Sequence, residues 1–268
     1  MDITDFIDFM DSMTLRTLWT FDFQTFRFSD FQTFLQYIYL LMGINDNTAD
    51  QARLQVTGDG SHTLYIASID EHYHSHFGAL TESKHIFINA GIEYYQGDRV
   101  SVLEVGFGTG LNALLTAIYA EEKKRHVTYV TLEKYPLKND LVSELNHASM
   151  TGSRGKWLFD AIHEAKWESP VELTPWFTIH KKKFDLTTDS LSGSFDLIYF
   201  DAFGPDKQPE MWTSEVMGKV DAVTHAGTVF VTYSAKGSLR RMLNGLGFEV
   251  SLLPGPPGKR VITRAEKK

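Results

Sequence analysis

Two stretches of this 268-residue chain carry residue types that could do chemistry together. In the first, Glu104-Val105-Gly106-Phe107-Gly108-Thr109-Gly110-Leu111-Asn112, an acid and three alternating glycines follow an apolar run. Glycine lets the backbone take positive φ and approach a ligand where any Cβ would stand in the way. The N–H groups opening the next helix are unpaired and suit a carboxylate or phosphate. In the second, Asp201-Ala202-Phe203-Gly204-Pro205, a carboxylate is followed by an aromatic ring and a turn. A carboxylate within reach of an amine can orient its lone pair and draw off a proton, and a nearby ring can stack on a flat substrate. Asp201 as a loop-capping residue is the plainer alternative.

Each stretch needs an element to aim it. The core begins at Val100 as a strand, and Leu111, Leu114, Leu115 and Ile118 then recur at helical spacing to about Ala120. Val127 to Leu132 is a second strand ending at Glu133, 23 residues past Gly110, where a carboxylate can accept both hydroxyls of a ribose. Leu137 to Leu145 reads as the next helix and Trp157 to Trp167 as another. Phe177 to His180 reads as the third strand, and Lys181-Lys182-Lys183 as a solvated face. Phe184-Asp185-Leu186 follows at the carboxyl end of that strand, where Asp185 either faces a ligand or, with equal weight, caps the next turn. Phe195 to Phe200 delivers Asp201. Ligands of an open α/β sheet bind beyond the carboxyl ends of its strands, so Asp201 is expected to face the same crevice as Gly106. Gln208 to Trp212 leads into a helix, Gly227 to Tyr233 is another β-rich run, and Ser234 to Leu246 is helical. Phe248 to Leu253 and Lys259 to Thr263 form a last hairpin.

Ahead of the core lie two less regular segments. Residues 1–50 are dense in phenylalanine, and Asp22-Phe23-Gln24-Thr25-Phe26 recurs as Asp30-Phe31-Gln32-Thr33-Phe34, an offset too short for a solenoid repeat. This segment reads as an accessory extension, with Met42 an alternative start. Residues 51–98 supply a hairpin around Gly58-Asp59-Gly60 and a segment with His72, His74 and His76. These histidines could converge on a metal; the reading adopted is a lid over the glycine turn, with no metal. Ile86-Phe87-Ile88 reads as a short strand. Residues 99–268 form the core.

Composition narrows the class. A chain of this length that is 43% hydrophobic can bury one sizeable core. It has no cysteine, which excludes disulfides and thiolate metal sites. No apolar run approaches the roughly 20 residues needed to cross a bilayer, and the start is acidic where a secretory signal would be basic, so a cytoplasmic protein is expected. The net charge of −8 argues against a nonspecific nucleic-acid binder, yet residues 236–268 hold eight basic and two acidic residues. That end reads either as a phosphate-binding surface or as a solvated tail.

Dinucleotide folds use G-x-G-x-x-G, whereas this turn is G-x-G-x-G with Leu111 in the place of the last glycine. With Glu104 ahead of it, it resembles the E-x-G-x-G-x-G signature of class I S-adenosylmethionine (SAM) methyltransferases. That resemblance implies an α/β, Rossmann-like fold: a mostly parallel seven-stranded sheet with an antiparallel last strand and helices on both faces. It also implies a SAM site of Glu104, Gly106, Phe107, Gly108, Thr109, Gly110, Asn112, Glu133, Asp185 and Leu186.

A narrower resemblance follows from Tyr73-His74-Ser75 with Gly78-Ala79 and Glu82, the glycine turn, Asp201-Ala202-Phe203-Gly204-Pro205 with Pro209-Glu210-Met211-Trp212-Thr213, and Ser234-Ala235-Lys236-Gly237 with Arg240-Arg241. From about Leu54 to Arg264 these resemble the methyltransferase half of the MnmC family, which completes 5-methylaminomethyl-2-thiouridine at the tRNA wobble position. Gly204 departs from the serine or alanine usual in that loop, and the chain carries no second glycine fingerprint for the family's FAD-dependent oxidase domain. The resemblance implies Asp201 as the catalytic group acting on an amine, and Tyr73, Phe203 and Trp212 against the base. Lys236, Arg240, Arg241, Lys259 and Arg260 would meet substrate phosphates. The implied partner is a tRNA anticodon stem-loop, with separate enzymes supplying the aminomethyl-uridine. Rival readings are a small-molecule methyltransferase or aminopropyltransferase on the same fold, and a non-catalytic SAM-binding partner protein.

Overall fold

The computed structural model describes residues 52–268, so the extension, its internal repeat and Met42 lie outside the described residues. Strands β1 (Ala52–Val56), β2 (His62–Ile66) and β3 (Glu71–His72) form a small antiparallel sheet, with the expected turn at Gly58-Asp59-Gly60 joining the first pair. Helix α1 (Ala79–Ser83) runs on into a π-helical segment, Lys84–Ile92. Ile86-Phe87-Ile88, expected as a strand, is therefore helical. A short apolar run reads the same as a buried strand or a buried helix, and here Ile86, Phe87, Ile88, Ala90 and Ile92 are all buried.

The larger sheet is built from β4 (Arg99–Val105), β5 (His126–Glu133), β6 (Pro170–Thr174), β7 (Phe177–Lys183), β8 (Leu197–Phe200), β9 (Val229–Thr232), β10 (Phe248–Pro254) and β11 (Val261–Lys267). Their spatial order is β10-β11-β9-β8-β4-β5-β7-β6, with β6 and β11 running against the rest. The sheet thus has eight strands where seven were expected. The extra one, β6, opens with Pro170, which cannot donate to a ladder and is at home on an edge. Helices α2 (Leu111–Lys123), α3 (Asn139–Ser143), α4 (His147–Met150), α5 (Gly152–Glu164), α6 (Ser214–Asp221) and α7 (Gly237–Gly245) complete the chain. The single helix expected at 137–145 is the short α3, with α4 following as a separate turn.

Helices cover both faces, because strand residues alternate sides. Val102, Tyr129, Ile179, Tyr199 and Val231 share one core cluster with Leu114, Ala117 and Leu158, from α2 and α5. Leu103, Val105, Ile198, Phe200 and Phe230 share the other with Val216, Val220, Leu239 and Leu243, from α6 and α7. The same alternation corrects the reading of Lys181. It lies in step with Phe177 and Ile179 on β7, and it is 1% exposed, its ammonium donating to the His163 carbonyl at 2.8 Å. Trp167 covers it at 5.0 Å from the ring centroid, and burial pushes its pKa down to about 8.

The order of strands sets the position of the site. From β4 the chain works outward through β5 and β7 on one side, then returns to β8 and β9 on the other. The carboxyl ends of β4 and β8 flank this switch point, where an α/β sheet opens a crevice. Register puts Val105 beside Phe200, so Gly106 and Asp201 leave the sheet as neighbours.

Candidate active site

A cavity of about 350 Å³ opens over these strand ends. Its floor is the glycine turn. Gly106 takes φ +94°, and a Cβ there would come within 2.7 Å of the Asp201 carbonyl oxygen, so the two strand tips touch backbone to backbone. Gly108, at φ +51°, turns its bare Cα toward Tyr73; a Cβ would stand 3.0 Å from that ring. The turn is held from below by the end of β5. Glu133 accepts from the Gly108 N–H at 3.0 Å through one oxygen and from the Tyr135 N–H at 2.9 Å through the other. Each oxygen keeps a lone pair for a further donor. Burial raises the Glu133 pKa, opposed by these backbone bonds.

Asp201 begins the loop after β8. One carboxylate oxygen accepts from the Asn112 side-chain amide at 2.8 Å. Burial pushes its pKa up to about 7; Asn112 and Lys259 oppose the rise and Glu82 adds to it. The loop is staked by three hydrogen bonds. The Tyr233 hydroxyl donates to the Ala202 carbonyl at 2.8 Å, the Trp212 indole to the Phe203 carbonyl at 2.7 Å, and the Phe203 N–H to the Gln208 side chain at 3.2 Å. Phe203 meets Tyr73 edge-on, with centroids 5.2 Å apart.

The segment 71–77 lines the cavity throughout, as a lid would. Its histidines take separate partners: His72 bonds Gln55, His76 packs on Phe77, and His74 is buried against His147. Opposite, Lys259 from the β10–β11 turn pairs with Glu82 at 3.3 Å and lies 4.7 Å over the Tyr233 ring.

Of the residues singled out from sequence, Tyr73, Gly106, Phe107, Gly108, Thr109, Asn112, Glu133, Asp185, Leu186, Asp201, Phe203 and Lys259 line this one cavity. Asp185 does so with its carboxylate engaged by Lys134 at 2.9 Å and by the Thr187 N–H, which hold its pKa down against burial. Glu104 and Gly110 lie outside the lining, Glu104 fully buried beneath α2. Trp212, expected against the base, is 8% exposed and packs 5.0 Å from Phe200 beneath the loop. Lys236, Arg240, Arg241 and Arg260 also lie outside the lining, Lys236 paired with Asp206 of the loop after β8. Sequence reading passed over Tyr233 and Tyr135, which line the cavity too. Each follows the carboxyl end of a strand, and that position was a usable signal.

Comparison with known proteins points the same way. The profile of a family described as S-adenosyl-L-methionine-dependent methyltransferase matches residues 160–268. The tRNA 5-methylaminomethyl-2-thiouridine biosynthesis bifunctional protein MnmC of Hydrogenovibrio crunogenus is 32% identical over 212 residues, 71% of this chain and 30% of that protein. Its namesake in Ralstonia nicotianae is 32% identical over 231 residues, 79% of this chain and 34% of that protein. The chain thus spans about a third of the length of the curated relatives it matches. Among solved structures, MNMC2 from Aquifex aeolicus superposes with a TM-score of 0.67 at 22% identity, over 88% of this chain and 82% of that one. In sequence the chain is similar to the MnmC proteins and, over residues 160–268, to the S-adenosyl-L-methionine-dependent methyltransferase family, and its α/β fold is that of MNMC2.

Proposed function

We propose that this chain transfers a methyl group from SAM to the 5-aminomethyl nitrogen of wobble (2-thio)uridine in tRNA, giving 5-methylaminomethyl-(2-thio)uridine. One observation carries the reading: Asp201, a half-buried acid whose backbone abuts the glycine turn at Gly106, lines the same cavity as that turn. The cavity fits SAM on its own terms. Gly108 leaves open the space that a Cβ would fill, and Glu133 keeps acceptor capacity for a ribose diol. Asp185 is committed to Lys134 and Thr187, so an adenine would be held chiefly by the walls around Phe184 and Leu186.

When bound, SAM supplies an electrophilic methyl group on sulfur. The chain's residues do the rest. Asp201 accepts a hydrogen bond from the amine, turns its lone pair toward the methyl carbon, and takes the proton the nitrogen sheds as the new N–C bond forms. A carboxylate raised to about 7 is matched to that task near neutral pH. Phe203 and Tyr73 offer the faces and edges against which an extruded base packs. Residues 99–268 are the catalytic core and 51–98 the N-terminal strands and lid segment packing on it, and the work belongs in the cytoplasm, where an aminomethylated tRNA is supplied by a prior reaction.

The test is labelled SAM with two tRNA pools, one carrying 5-aminomethyl-uridine at the wobble position and one lacking it. Label in the first pool alone is the expected result. No label in either, with SAM bound, would favour a small-molecule acceptor.

A further inference from the structure

Two histidines that the methyl-transfer reading does not use reach the glycine turn from α4 and α5, and neither lines the cavity. The His163 Nε2 lies 3.2 Å from the Thr109 carbonyl oxygen, and the His147 Nε2 lies 3.2 Å from the Thr109 hydroxyl. Thr109 is 1% exposed, and its carbonyl receives no other hydrogen bond among the described residues. The His163 ring packs on Phe107 and Phe159, with centroids 5.4 and 4.5 Å apart, and the Lys181 ammonium donates to its backbone carbonyl.

We propose that His163 is a positioning residue for the SAM turn: its Nε2–H holds the Thr109 carbonyl, and the third glycine of the turn, Gly110, leaves its Cβ space to this imidazole and not to the cofactor. The inference rests on the reading of the turn as the SAM cradle and is independent of the acceptor.

Geometry and donor chemistry lead there. A carbonyl can only accept, so the proton of this bond sits on the His163 Nε2. Burial and the Lys181 ammonium push the ring's pKa down to about 4, which leaves it neutral, with a single N–H, at pH 7. Gly110 takes φ +75°, and a Cβ there would stand 2.8 Å from the His163 Nε2 and 3.0 Å from the Phe107 ring. Gly110 is absent from the cavity lining, so the space its bare Cα leaves is filled by these rings. Thr109 and Phe107 do line the cavity, and His163 therefore acts on the cofactor only through them. Fixing the Thr109–Gly110 peptide also fixes the start of α2, whose Leu111 and Asn112 line the cavity next. Losing the imidazole N–H would strand a buried carbonyl in the middle of the cradle.

His163→Gln and His163→Leu, with SAM binding read by calorimetry, separate positioning from packing. Glutamine reaches about as far as the imidazole Nε2 and keeps an N–H donor, and is expected to hold the Kd for SAM within about threefold of wild type. Leucine fills much of the space without a donor and is expected to weaken SAM binding about tenfold or more, with kcat at saturating SAM within about threefold. A His163→Leu protein that melts earlier but binds SAM as wild type does, or a His163→Gln loss as large as that of His163→Leu, overturns the proposal. Should either variant not fold, nitrogen-15 spectra of the wild-type histidines at neutral pH decide alone. An Nε2–H tautomer at His163 whose signal shifts when SAM is added supports the proposal; an Nδ1–H tautomer, or a signal indifferent to SAM, overturns it. In each of these outcomes wild-type protein binds SAM, so this inference alone is lost, whereas wild-type protein that binds no SAM overturns the reading of the cradle and this inference with it.

Discussion

At position 201 a carboxylate does two incompatible things at modest cost: it is buried enough to have a raised pKa, yet bonded well enough to ionise near neutrality. Turnover should therefore climb with pH through about 7 as the base loses its proton. Asp201→Asn should lower kcat by roughly 10²–10⁴-fold with SAM affinity intact, read from initial rates and calorimetry. Glu133→Ala should instead weaken SAM binding by about 1.5–3 kcal/mol, and an unchanged Kd would mean that its free lone pairs meet no ribose. Stability carries the same signature. Burial raises Glu104 from 4.5 to about 8 and Asp201 from 3.8 to about 7. A group raised on folding stabilises fully below its unfolded pKa and loses that contribution as pH climbs through the folded one. The buried His74 and His147, pushed down to about 4 and about 3, act the other way, but only as pH falls below 6.5. From about pH 6.5 to 7.5 the carboxylates set the slope, so urea midpoints should fall with pH, and Glu104→Gln should flatten the fall. Residue types at 104, 112, 133 and 201 were legible as chemistry. Their bonds were not, because Asn112 and Asp201 are 89 positions apart and nothing local marks the pairing.

Among the elements, strands were easier to read than helices. The runs ending at Val105, Glu133 and Phe200 are short, apolar and β-rich, and each is followed by a glycine or a charged residue. Two errors share a cause. Ile86-Phe87-Ile88 and Lys181 sit in segments where burial comes from neighbours remote in sequence, which neither apolar periodicity nor a run of like charge reveals. The touching tips of β4 and β8 give this scale its prediction. Gly106→Ala would force a Cβ to within 2.7 Å of the Asp201 carbonyl at a strained positive φ. It should cost at least about 1–3 kcal/mol of stability and abolish SAM binding, by thermal unfolding and calorimetry. A fully stable, SAM-binding variant would mean the tips are less tightly abutted than described.

For the whole molecule the question is how an acidic chain would meet the proposed tRNA substrate. The basic end is less available than its composition suggests, since Lys236, Lys259, Lys267 and Lys268 are paired with Asp206, Glu82, Asp221 and Glu249. Charge counts made along the sequence could not anticipate that, because every one of those acids lies elsewhere in the chain or on a facing strand. Arg240 and Arg241, on the helix that starts beside the loop after β8, are then the residues we propose for phosphate contact. Replacing both with alanine should weaken tRNA binding and reduce the slope of log K against log salt by about 1.5–2, while leaving SAM affinity unchanged. An unaltered salt slope would assign the phosphates to another surface. Among the described residues no helix is long and apolar enough to cross a membrane.

The most direct test of the central claim is nucleoside mass spectrometry of aminomethylated tRNA incubated with the purified protein and SAM. The account predicts that wobble 5-aminomethyl-(2-thio)uridine is converted to its N-methyl derivative, and that Asp201→Asn leaves it unconverted. Aminomethyl-uridine that persists unchanged beside wild-type protein with SAM bound would contradict it.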